Sequence, residues 1–205
     1  MKRFDCLKIV AEEIGDALVV STVGGAAAEW NALRPGDGNL RCRTLGLVSS
    51  IAMGLALALP DRTILGIDGD GALLMNACGL PTLAWQRPAN LTLLVFDNGI
   101  YEASGLRRTA TSAGADLIAM AKGAGVQHAD WASSLDEFRD LLRIGQARKA
   151  LSMIGAKTEA GEEYFRTWQQ LPTFEYNETE NLHRFMLHIE KLEGKRIVPL
   201  PGPKH

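Results

Sequence analysis

The middle of the chain alternates between short apolar runs and turns rich in glycine, proline and asparagine. An apolar run at residues 63–67 is followed by a polar turn at 68–71, and a segment of helical length, 72–85, leads to a second apolar run at 91–96. Short apolar runs bounded by turn residues predict buried strands. A strand, a helix and a strand of these lengths predict a right-handed crossover in a parallel sheet.

The same pattern continues on both sides of this segment. Further strands are predicted at residues 17–21 and 151–156, and further helices at 2–14, 26–30, 46–59, 115–124 and 134–147. Ser134 and Glu137 have the spacing of a capping box at the start of the last helix. Alternating strands and helices predict an α/β fold, an open and mostly parallel sheet with helices on both faces.

The C-terminal part of the chain has a different pattern. We predict a domain over residues 1–158 and an extension over 159–205, which is polar and irregular. The aromatic side chains of the extension are Phe165, Trp168, Phe174, Tyr176 and Phe185. Aromatic side chains need a surface to pack on, so the extension is expected to form an arm on the domain or on a partner subunit. The prolines at every second position from Pro199 predict a loose tail.

Two polar turns follow the predicted strands at 63–67 and 91–96. Both turns lie at the carboxyl edge of the sheet, where open α/β sheets bind ligands. The carboxylate of Asp70 and the amide oxygen of Asn98 are ligands that Mg²⁺ prefers, with room for water and phosphate oxygens. Taken separately, the first turn could be an ordinary glycine-rich turn and the second an ordinary Asn-Gly turn. Their pairing on consecutive strands favours a ligand site.

The glycines beside Asp70 suit the same ligand. Gly69 and Gly71 allow the backbone to approach a diphosphate closely, and the helix predicted from Ala72 points its free amides toward it. A second Gly-Asp-Gly, at residues 36–38, follows a proline rather than a strand, and no matching Asn turn lies at the proper distance after it. We therefore reject that copy as a metal site.

The spacing of these residues resembles the thiamine diphosphate fingerprint, which is Gly-Asp-Gly, a gap in the mid-twenties, and Asn-Asn. Here Gly69-Asp70-Gly71 is followed, after the 25 residues 72–96, by Asp97-Asn98. The resemblance implies thiamine diphosphate and Mg²⁺ as cofactors. It also implies that Asp70, Asn98 and the backbone carbonyl of Ile100 are the metal ligands. Gly69, Gly71, Ala72 and Tyr101 are then cofactor-binding residues.

The Asp-Asn-Gly form of the second half, together with residues 47–61, is similar to the phosphonopyruvate and sulfopyruvate decarboxylases. The resemblance covers most of residues 1–150, which is a whole domain of the thiamine diphosphate-binding fold. It implies decarboxylation of a 2-oxoacid, with the thiazolium ring as the electron sink. Carboligation of the acetolactate synthase type and a non-catalytic cofactor-binding subunit remain open alternatives.

Two other turns carry candidates that this resemblance supplies. Related enzymes contact the diphosphate with a Thr or Gly after the first strand, where this chain has Thr22 and Gly24; a plain turn is the alternative. Relatives also hold the cofactor in a bent shape with a bulky residue before a glycine. Aligned by Gly46, that bulky residue is Leu45, and Arg43 replaces the first glycine of the relatives' motif.

The loop after Tyr101 departs from the family. Relatives carry a Gly-Gly-Gln-Pro-Thr-like segment there, whereas this chain has Glu102 and the pair Arg107 and Arg108. A planar guanidinium binds a phosphonate, sulfonate or carboxylate through two hydrogen bonds, so both arginines are candidates for the substrate anion. Solvated surface arginines are the alternative. His128 is a possible acid or base, although a lone histidine between two elements is more often structural.

Composition excludes several classes of protein. The chain has 205 residues, a hydrophobic content of 46% and a formal net charge of −2, which is typical of one globular domain with an extension. Such a charge predicts no nucleic-acid partner. The sequence shows neither an apolar run long enough to span a membrane nor a leader pattern, so we expect no membrane span and no export signal. The three cysteines lack a Cys-x-x-Cys pair, which indicates no zinc or iron–sulfur site and a reducing, cytoplasmic location.

By resemblance, the glutamate that activates the cofactor sits on a separate pyrimidine-binding domain of similar size. That glutamate protonates the aminopyrimidine, whose amino group then removes the thiazolium proton. A chain of 205 residues leaves room for the diphosphate domain only. We therefore expect a split active site shared with an α-type subunit, as α2β2 or larger, and no certain catalytic residue here. A nicotinamide-binding protein is rejected because Gly-x-Gly-x-x-Gly does not follow the first strand.

Overall fold

The computed structural model describes residues 1–160, 166–167 and 170–197 of the chain. Its centre is a six-stranded sheet in which all neighbouring strands are parallel. The strands of this sheet are β1 (Leu18–Ser21), β2 (Asn39–Arg41), β3 (Ile64–Gly69), β4 (Leu91–Asp97), β7 (His128–Ala132) and β8 (Ser152–Lys157). They lie in the order β2-β1-β3-β4-β8-β7. A short antiparallel hairpin, β5 (Ile100–Tyr101) and β6 (Arg107–Arg108), follows β4.

Helices cover both faces of the sheet. The helices are α1 (Arg3–Glu13), α2 (Gly25–Leu33), α3 (Val48–Ala58), α4 (Asp70–Leu74), α5 (Gly79–Gln86), α6 (Leu117–Gly123), α7 (Leu135–Ala147) and α8 (Glu178–Glu193). One core packs α1, α2 and α7 on the sheet, and a second core packs the other five helices on the opposite face. The predicted α/β fold, with an open parallel sheet between two helical layers, is confirmed.

Strand register places the chemistry at one edge. In β1 and β3, Ser21 lies opposite Ile67, and in β3 and β4, Gly69 lies opposite Phe96. The three strands therefore end at nearly the same level of the sheet. The residues after them share one surface, as the crossover argument requires.

The helix predicted at 72–85 is two helices. It begins at Asp70, so the polar turn is itself the first helical turn, and it stops at Leu74. A second helix restarts at Gly79 because Pro81 has no N–H for a continuing helix and fits only the first turn of a new one. Between the two helices, the Asn76 amide donates to the Gly46 carbonyl at 2.9 Å and ties the break to the neighbouring loop.

The cap predicted for α7 is confirmed, because Ser134 Oγ accepts a hydrogen bond from the backbone N–H of Glu137 at 3.1 Å. The strand β2 was not predicted. Among the described residues, no helix combines the length and the apolar composition that crossing a membrane requires.

The irregular pattern predicted after residue 159 is wrong for its second half, where α8 forms. Asn177 caps this helix by accepting from the backbone N–H of Glu180. Phe185 and Ile189 are buried in the core, so this part of the extension packs on its own domain. The aromatic residues Phe165 and Trp168 and the prolines Pro199, Pro201 and Pro203 lie outside the described residues.

Candidate active site

Three strand ends meet at a small cavity of about 70 Å³. After β1 the chain enters α2 on one face of the sheet, whereas after β3 it enters α4 on the other face. Since β1 and β3 are neighbours, the chain separates there and leaves a crevice, which is where α/β sheets bind ligands. The cavity lies in this crevice.

The structure brings most of the predicted site residues together at this cavity. The predicted residues that line it are Thr22, Gly24, Leu45, Gly69, Asp70, Gly71, Ala72, Asn98, Ile100 and Tyr101. Gly46 lies next to the lining residue Leu45 but is not itself part of the lining. These positions come from segments that are up to 79 residues apart in the sequence (22 to 101). Their roles toward a cofactor or a metal stay predictions.

Asp70 is buried at the start of α4. Its Oδ2 accepts hydrogen bonds from Thr109 Oγ1 at 2.5 Å and from Thr111 Oγ1 at 2.8 Å. Burial raises the pKa of Asp70, the two hydroxyls lower it, and the nearby Asp97 carboxylate raises it further. A carboxylate that is destabilised in this way would be stabilised by a cation.

Asp97, which replaces the family's first asparagine, is also buried. Its Oδ1 accepts from the backbone N–H of Gly99 at 3.1 Å, and its Oδ2 forms an ion pair with Lys157. Thr111 Oγ1 lies 2.7 Å from Oδ1 and can donate its single proton either there or to Asp70 Oδ2. Lys157 lies opposite Asp97 in the register of β4 and β8. The extra negative charge of this chain's variant is therefore balanced by a lysine on the neighbouring strand.

Asn98 is held from two sides. Its Oδ1 accepts from the backbone N–H of Ile100 at 3.1 Å, and its Nδ2 donates to Glu102 Oε1 at 2.6 Å. Glu102 in turn is bonded to the guanidinium of Arg3, which also contacts Glu29 on α2. The predicted ligand is thus the end of a hydrogen-bonded chain that reaches α1 and α2.

The turn after β1 carries a polar atom without a partner. Thr22 is buried, and its Oγ1 has no hydrogen-bond partner among the described residues. Leaving a buried hydroxyl unpaired is costly, so a ligand oxygen at this point would be favourable. Gly24, two residues on, has a backbone φ of +93°, which residues other than glycine rarely adopt.

Tyr101 covers the turn after β3. Its hydroxyl lies 3.4 Å from the carbonyl oxygen of Gly71, and a Cβ added to Gly71 would clash with the tyrosine ring. Glycine is required there because an aromatic ring packs directly on the backbone. Tyr101 belongs to the segment that we call the flap, residues 99–114, which closes this side of the cavity.

Asp68 is a further buried carboxyl that sequence reasoning missed. Its Oδ1 accepts from the backbone N–H of Gly69 at 2.9 Å, and its Oδ2 has no partner among the described residues. Burial raises the pKa of Asp68 to about 7, against the opposing effects of Gly69 and the nearby Thr22 hydroxyl. The Thr22 hydroxyl lies close enough to lower the pKa of Asp68 but forms no hydrogen bond with Oδ2.

Three predicted candidates lie elsewhere. Arg107 and Arg108 are exposed on β6 and do not line the cavity, and Arg108 donates to the side chain and the carbonyl of Ser112. His128 begins β7, at the opposite edge of the sheet from the strand ends. Their proposed roles in substrate binding or acid–base chemistry gain no support from these positions.

Sequence reasoning also missed the residues that hold the two predicted ligands. Thr109, Thr111, Arg3 and Glu29 carry no motif, and only the fold brings them to the strand ends. Among the described residues, no group of three or more His, Cys, Asp or Glu is arranged to hold a metal ion. The predicted set of one carboxylate, one amide and one carbonyl is of another kind, which suits Mg²⁺ with water and phosphate oxygens.

Comparison with known proteins places this geometry in a family. Residues 29–156 match the thiamine pyrophosphate enzyme family model for the C-terminal TPP binding domain. The chain is 34% identical over 159 residues to a protein named sulfopyruvate decarboxylase subunit beta from Methanocaldococcus jannaschii, covering 77% of this chain and 84% of that protein. It is also 34% identical over 148 residues to a phosphonopyruvate decarboxylase from Streptomyces viridochromogenes, covering 72% of this chain and 37% of that enzyme.

A solved structure agrees on the fold. The thiamine diphosphate-dependent 4-hydroxybenzoylformate decarboxylase of Rhodococcus jostii RHA1 superposes with a TM-score of 0.66 at 20% identity, over 79% of this chain and 33% of that one. The chain spans about a third of the length of that enzyme and of the phosphonopyruvate decarboxylase. The resemblance found in the fingerprint is confirmed, and the chain belongs to the thiamine pyrophosphate enzymes, as a C-terminal-type TPP-binding domain of the sulfopyruvate and phosphonopyruvate decarboxylase group.

Proposed function

We propose that the chain is the diphosphate-binding subunit of a split thiamine diphosphate-dependent 2-oxoacid decarboxylase. The observation that carries the proposal is the cavity at the strand ends, where the predicted residues surround the buried carboxylate of Asp70. The family assignment and the decarboxylase names of both relatives support it.

In this proposal Asp70, Asn98 and the carbonyl of Ile100 hold Mg²⁺. Oδ2 of Asp70 is already bonded to Thr109 and Thr111, so we assign Oδ1 to the cation. The two threonines fix the direction of the carboxylate, which is the role that outer hydrogen bonds have in metal sites. The remaining positions around the ion suit phosphate oxygens and water.

The diphosphate would lie against the turns after β1 and β3. We assign to the Thr22 hydroxyl, which lacks a hydrogen-bond partner among the described residues, a hydrogen bond to a phosphate oxygen; Gly24 and residues 69–72 line the same cavity. The cavity measures about 70 Å³, and the ring of Tyr101 packs on Gly71 at one side of it. By the family resemblance, we assign contact with the rings of the cofactor to Leu45, which lines the cavity, and to the neighbouring Gly46.

When bound, thiamine diphosphate supplies an electron sink for the carbanion that loss of carbon dioxide leaves. Glu102, the glutamate that lines the cavity, is bonded to Arg3 and Asn98, so we do not assign it to protonation of the aminopyrimidine. We assign the activating glutamate to a pyrimidine-domain α-type partner, in an α2β2 or larger assembly. The Methanocaldococcus jannaschii relative, which is named a subunit beta, supports a partner subunit.

The proposed substrates are 2-oxoacids with a second anionic group, of the sulfopyruvate and phosphonopyruvate class. Arg107 and Arg108 lie exposed on the flap and remain the candidates for that second anion. A cytoplasmic location is part of the same proposal, because all three cysteines are free and a reducing compartment keeps thiols in that form.

The test is calorimetric titration of thiamine diphosphate with Mg²⁺, on the chain alone and on the chain with its partner subunit. Asp70→Asn removes the proposed metal ligand. Asp37→Asn is the matched control, because it changes the other Gly-Asp-Gly of the chain, whose aspartate pairs with Arg184 and does not line the cavity. We expect Asp70→Asn to weaken cofactor binding by about 100-fold, because the metal loses a charged ligand. We expect Asp37→Asn to leave cofactor binding unchanged.

Carbon dioxide release from a panel of 2-oxoacids would then be measured on the complex. Faster release from acids with a second anion than from pyruvate supports the proposed substrate class, and acetolactate formation instead supports carboligation. Absence of cofactor binding in both the chain and the complex would overturn the proposed function.

A further inference from the structure

A buried ion network lies directly behind the predicted ligand Asn98. The guanidinium of Arg3 donates to Glu29 at 2.8 and 3.4 Å and to Glu102 at 3.1 and 3.2 Å. Side-chain exposure is 6% for Arg3, 3% for Glu29 and 9% for Glu102. The Oε1 atom of Glu102 also accepts from Asn98 Nδ2 at 2.6 Å.

We propose that Glu102, held in place by Arg3, is a positioning residue that orients the Asn98 amide toward the metal. This inference rests on the proposed function. A carboxylate only accepts hydrogen bonds, so it must face the NH₂ group of the amide. Exchanging the amide's oxygen and nitrogen would put Oδ1 against Oε1 at 2.6 Å, where two acceptors repel. Oδ1 is therefore fixed on the opposite side, beside the backbone N–H of Ile100.

The same contact tunes the amide as well as orienting it. A hydrogen bond to a carboxylate draws negative charge onto the amide oxygen, which makes Oδ1 a better ligand for a hard cation. Outer groups of this kind orient metal ligands and raise their basicity, and losing one costs about 10–100-fold in metal affinity.

Arg3 is what makes a carboxylate tolerable at this depth. A buried carboxylate without a partner is strongly unfavourable, and Arg3 uses its fork of donors to bind Glu29 and Glu102 at once. Arg3 therefore allows a carboxylate, rather than a neutral side chain, to face the Asn98 amide.

The experiment measures Mn²⁺ affinity by electron paramagnetic resonance, on the chain with its partner subunit and saturating thiamine diphosphate. Glu102→Asp keeps the charge that Arg3 needs but withdraws the carboxylate from Asn98. Glu102→Gln keeps the length and an acceptor oxygen for Asn98. We expect Glu102→Asp to weaken Mn²⁺ binding by about tenfold or more, and Glu102→Gln, which keeps the acceptor oxygen but loses the charged hydrogen bond, to weaken it distinctly less.

Glu178→Gln is the control, because Glu178 pairs with Arg41 and Arg43 at the start of α8 and does not line the cavity. It tests whether loss of any arginine ion pair has the same effect. The unfolding temperature of each variant without metal reports a purely structural role. A positioning role predicts that Mn²⁺ affinity in Glu102→Asp falls much more than this temperature explains.

The outcomes separate the two hypotheses. If the unchanged complex binds neither Mn²⁺ nor the cofactor, the proposed function fails. If the unchanged complex binds both and Glu102→Asp binds Mn²⁺ as tightly, the positioning role fails while the proposed function stands. Equal losses in Glu102→Asp and Glu102→Gln would also overturn it, because the acceptor oxygen would then not be what matters. Should Glu102→Asp fail to fold, Arg3→Lys, which keeps one charge but loses the fork, must weaken Mn²⁺ binding instead.

Discussion

The C-terminal helix α8 is predicted to be an integral part of the domain, and Phe185→Ala tests this. Phe185 is 2% exposed and lies in the core that packs beneath this face of the sheet. The helix also completes the edge strand β2, because the Asn181 amide accepts from the backbone N–H of Arg41 and donates to the carbonyl of Asn39, both at 2.9 Å. An edge strand otherwise exposes such groups to other chains.

The expected magnitude follows from burial. Truncating a fully buried phenylalanine costs about 3–5 kcal/mol of the free energy of unfolding. A domain of this size has a total of about 5–15 kcal/mol, so Phe185→Ala would remove a large share. At about 2–4 °C per kcal/mol, the unfolding temperature should fall by about 6–20 °C.

Leu187→Ala is the matched control on the same helix. Leu187 is 44% exposed, so its truncation should change the free energy of unfolding by no more than about 0.5 kcal/mol. Urea unfolding of the three proteins, followed by circular dichroism, gives the comparison. Equal midpoints for Phe185→Ala and Leu187→Ala would refute the reasoning and would show that α8 adds little to the fold.

The remaining predictions concern packing and thiol chemistry. Gly155→Ala should lower the free energy of unfolding by about 1–3 kcal/mol, because the new methyl group would lie 2.5 Å from the Trp131 ring; Gly54→Ala, with nothing within 4 Å, should be neutral or raise it by up to about 1 kcal/mol. Thermal unfolding distinguishes them, and similar losses would contradict this. A colorimetric thiol reagent should modify Cys78 rapidly and the other two cysteines only after unfolding, because Cys78 is exposed and burial raises the pKa of Cys6 to about 12. Three fast thiols would contradict it.

The sequence predicts the two strands beside the site well because these strands are buried on both faces of the sheet. Residues 64–69 and 91–97 are apolar with little interruption and end in glycine, aspartate and asparagine. Such runs are hard to place anywhere but in a parallel sheet. The boundary errors are small there, and the two polar turns meet as expected.

Other elements depend on tertiary contacts that local patterns do not contain. Strand β2 has three residues, too few for a period, and it forms because β1 offers a partner on one side and Asn181 satisfies its other edge. Helix α8 has a polar composition outside its buried face, so its few apolar residues look scattered in the sequence. Its packing on the sheet is what stabilises it.

The candidate site divides in the same way. Asp70 and Asn98 were predictable because each follows its own strand, and the crossover brings the two turns together. Thr109, Thr111 and Glu102 were not predictable as contacts, because they lie on the flap and reach the predicted ligands only after it folds back. A local sequence pattern does not predict which residues an irregular flap will contact.

The substitution of aspartate for the family's first asparagine shows why this limit is physical. In isolation, the carboxylate of Asp97 adds a buried negative charge close to Asp70, which would make the variant unfavourable. The register of β4 and β8 places Lys157 opposite it, 60 residues later in the chain, and the Thr111 hydroxyl lies between the two carboxylates and can donate its proton to either one. The buried aspartate is therefore explained only when Asp97, Lys157 and Thr111 are considered together. Whether a departure from a motif preserves a site depends on compensating groups that strand register, rather than motif spacing, brings to it.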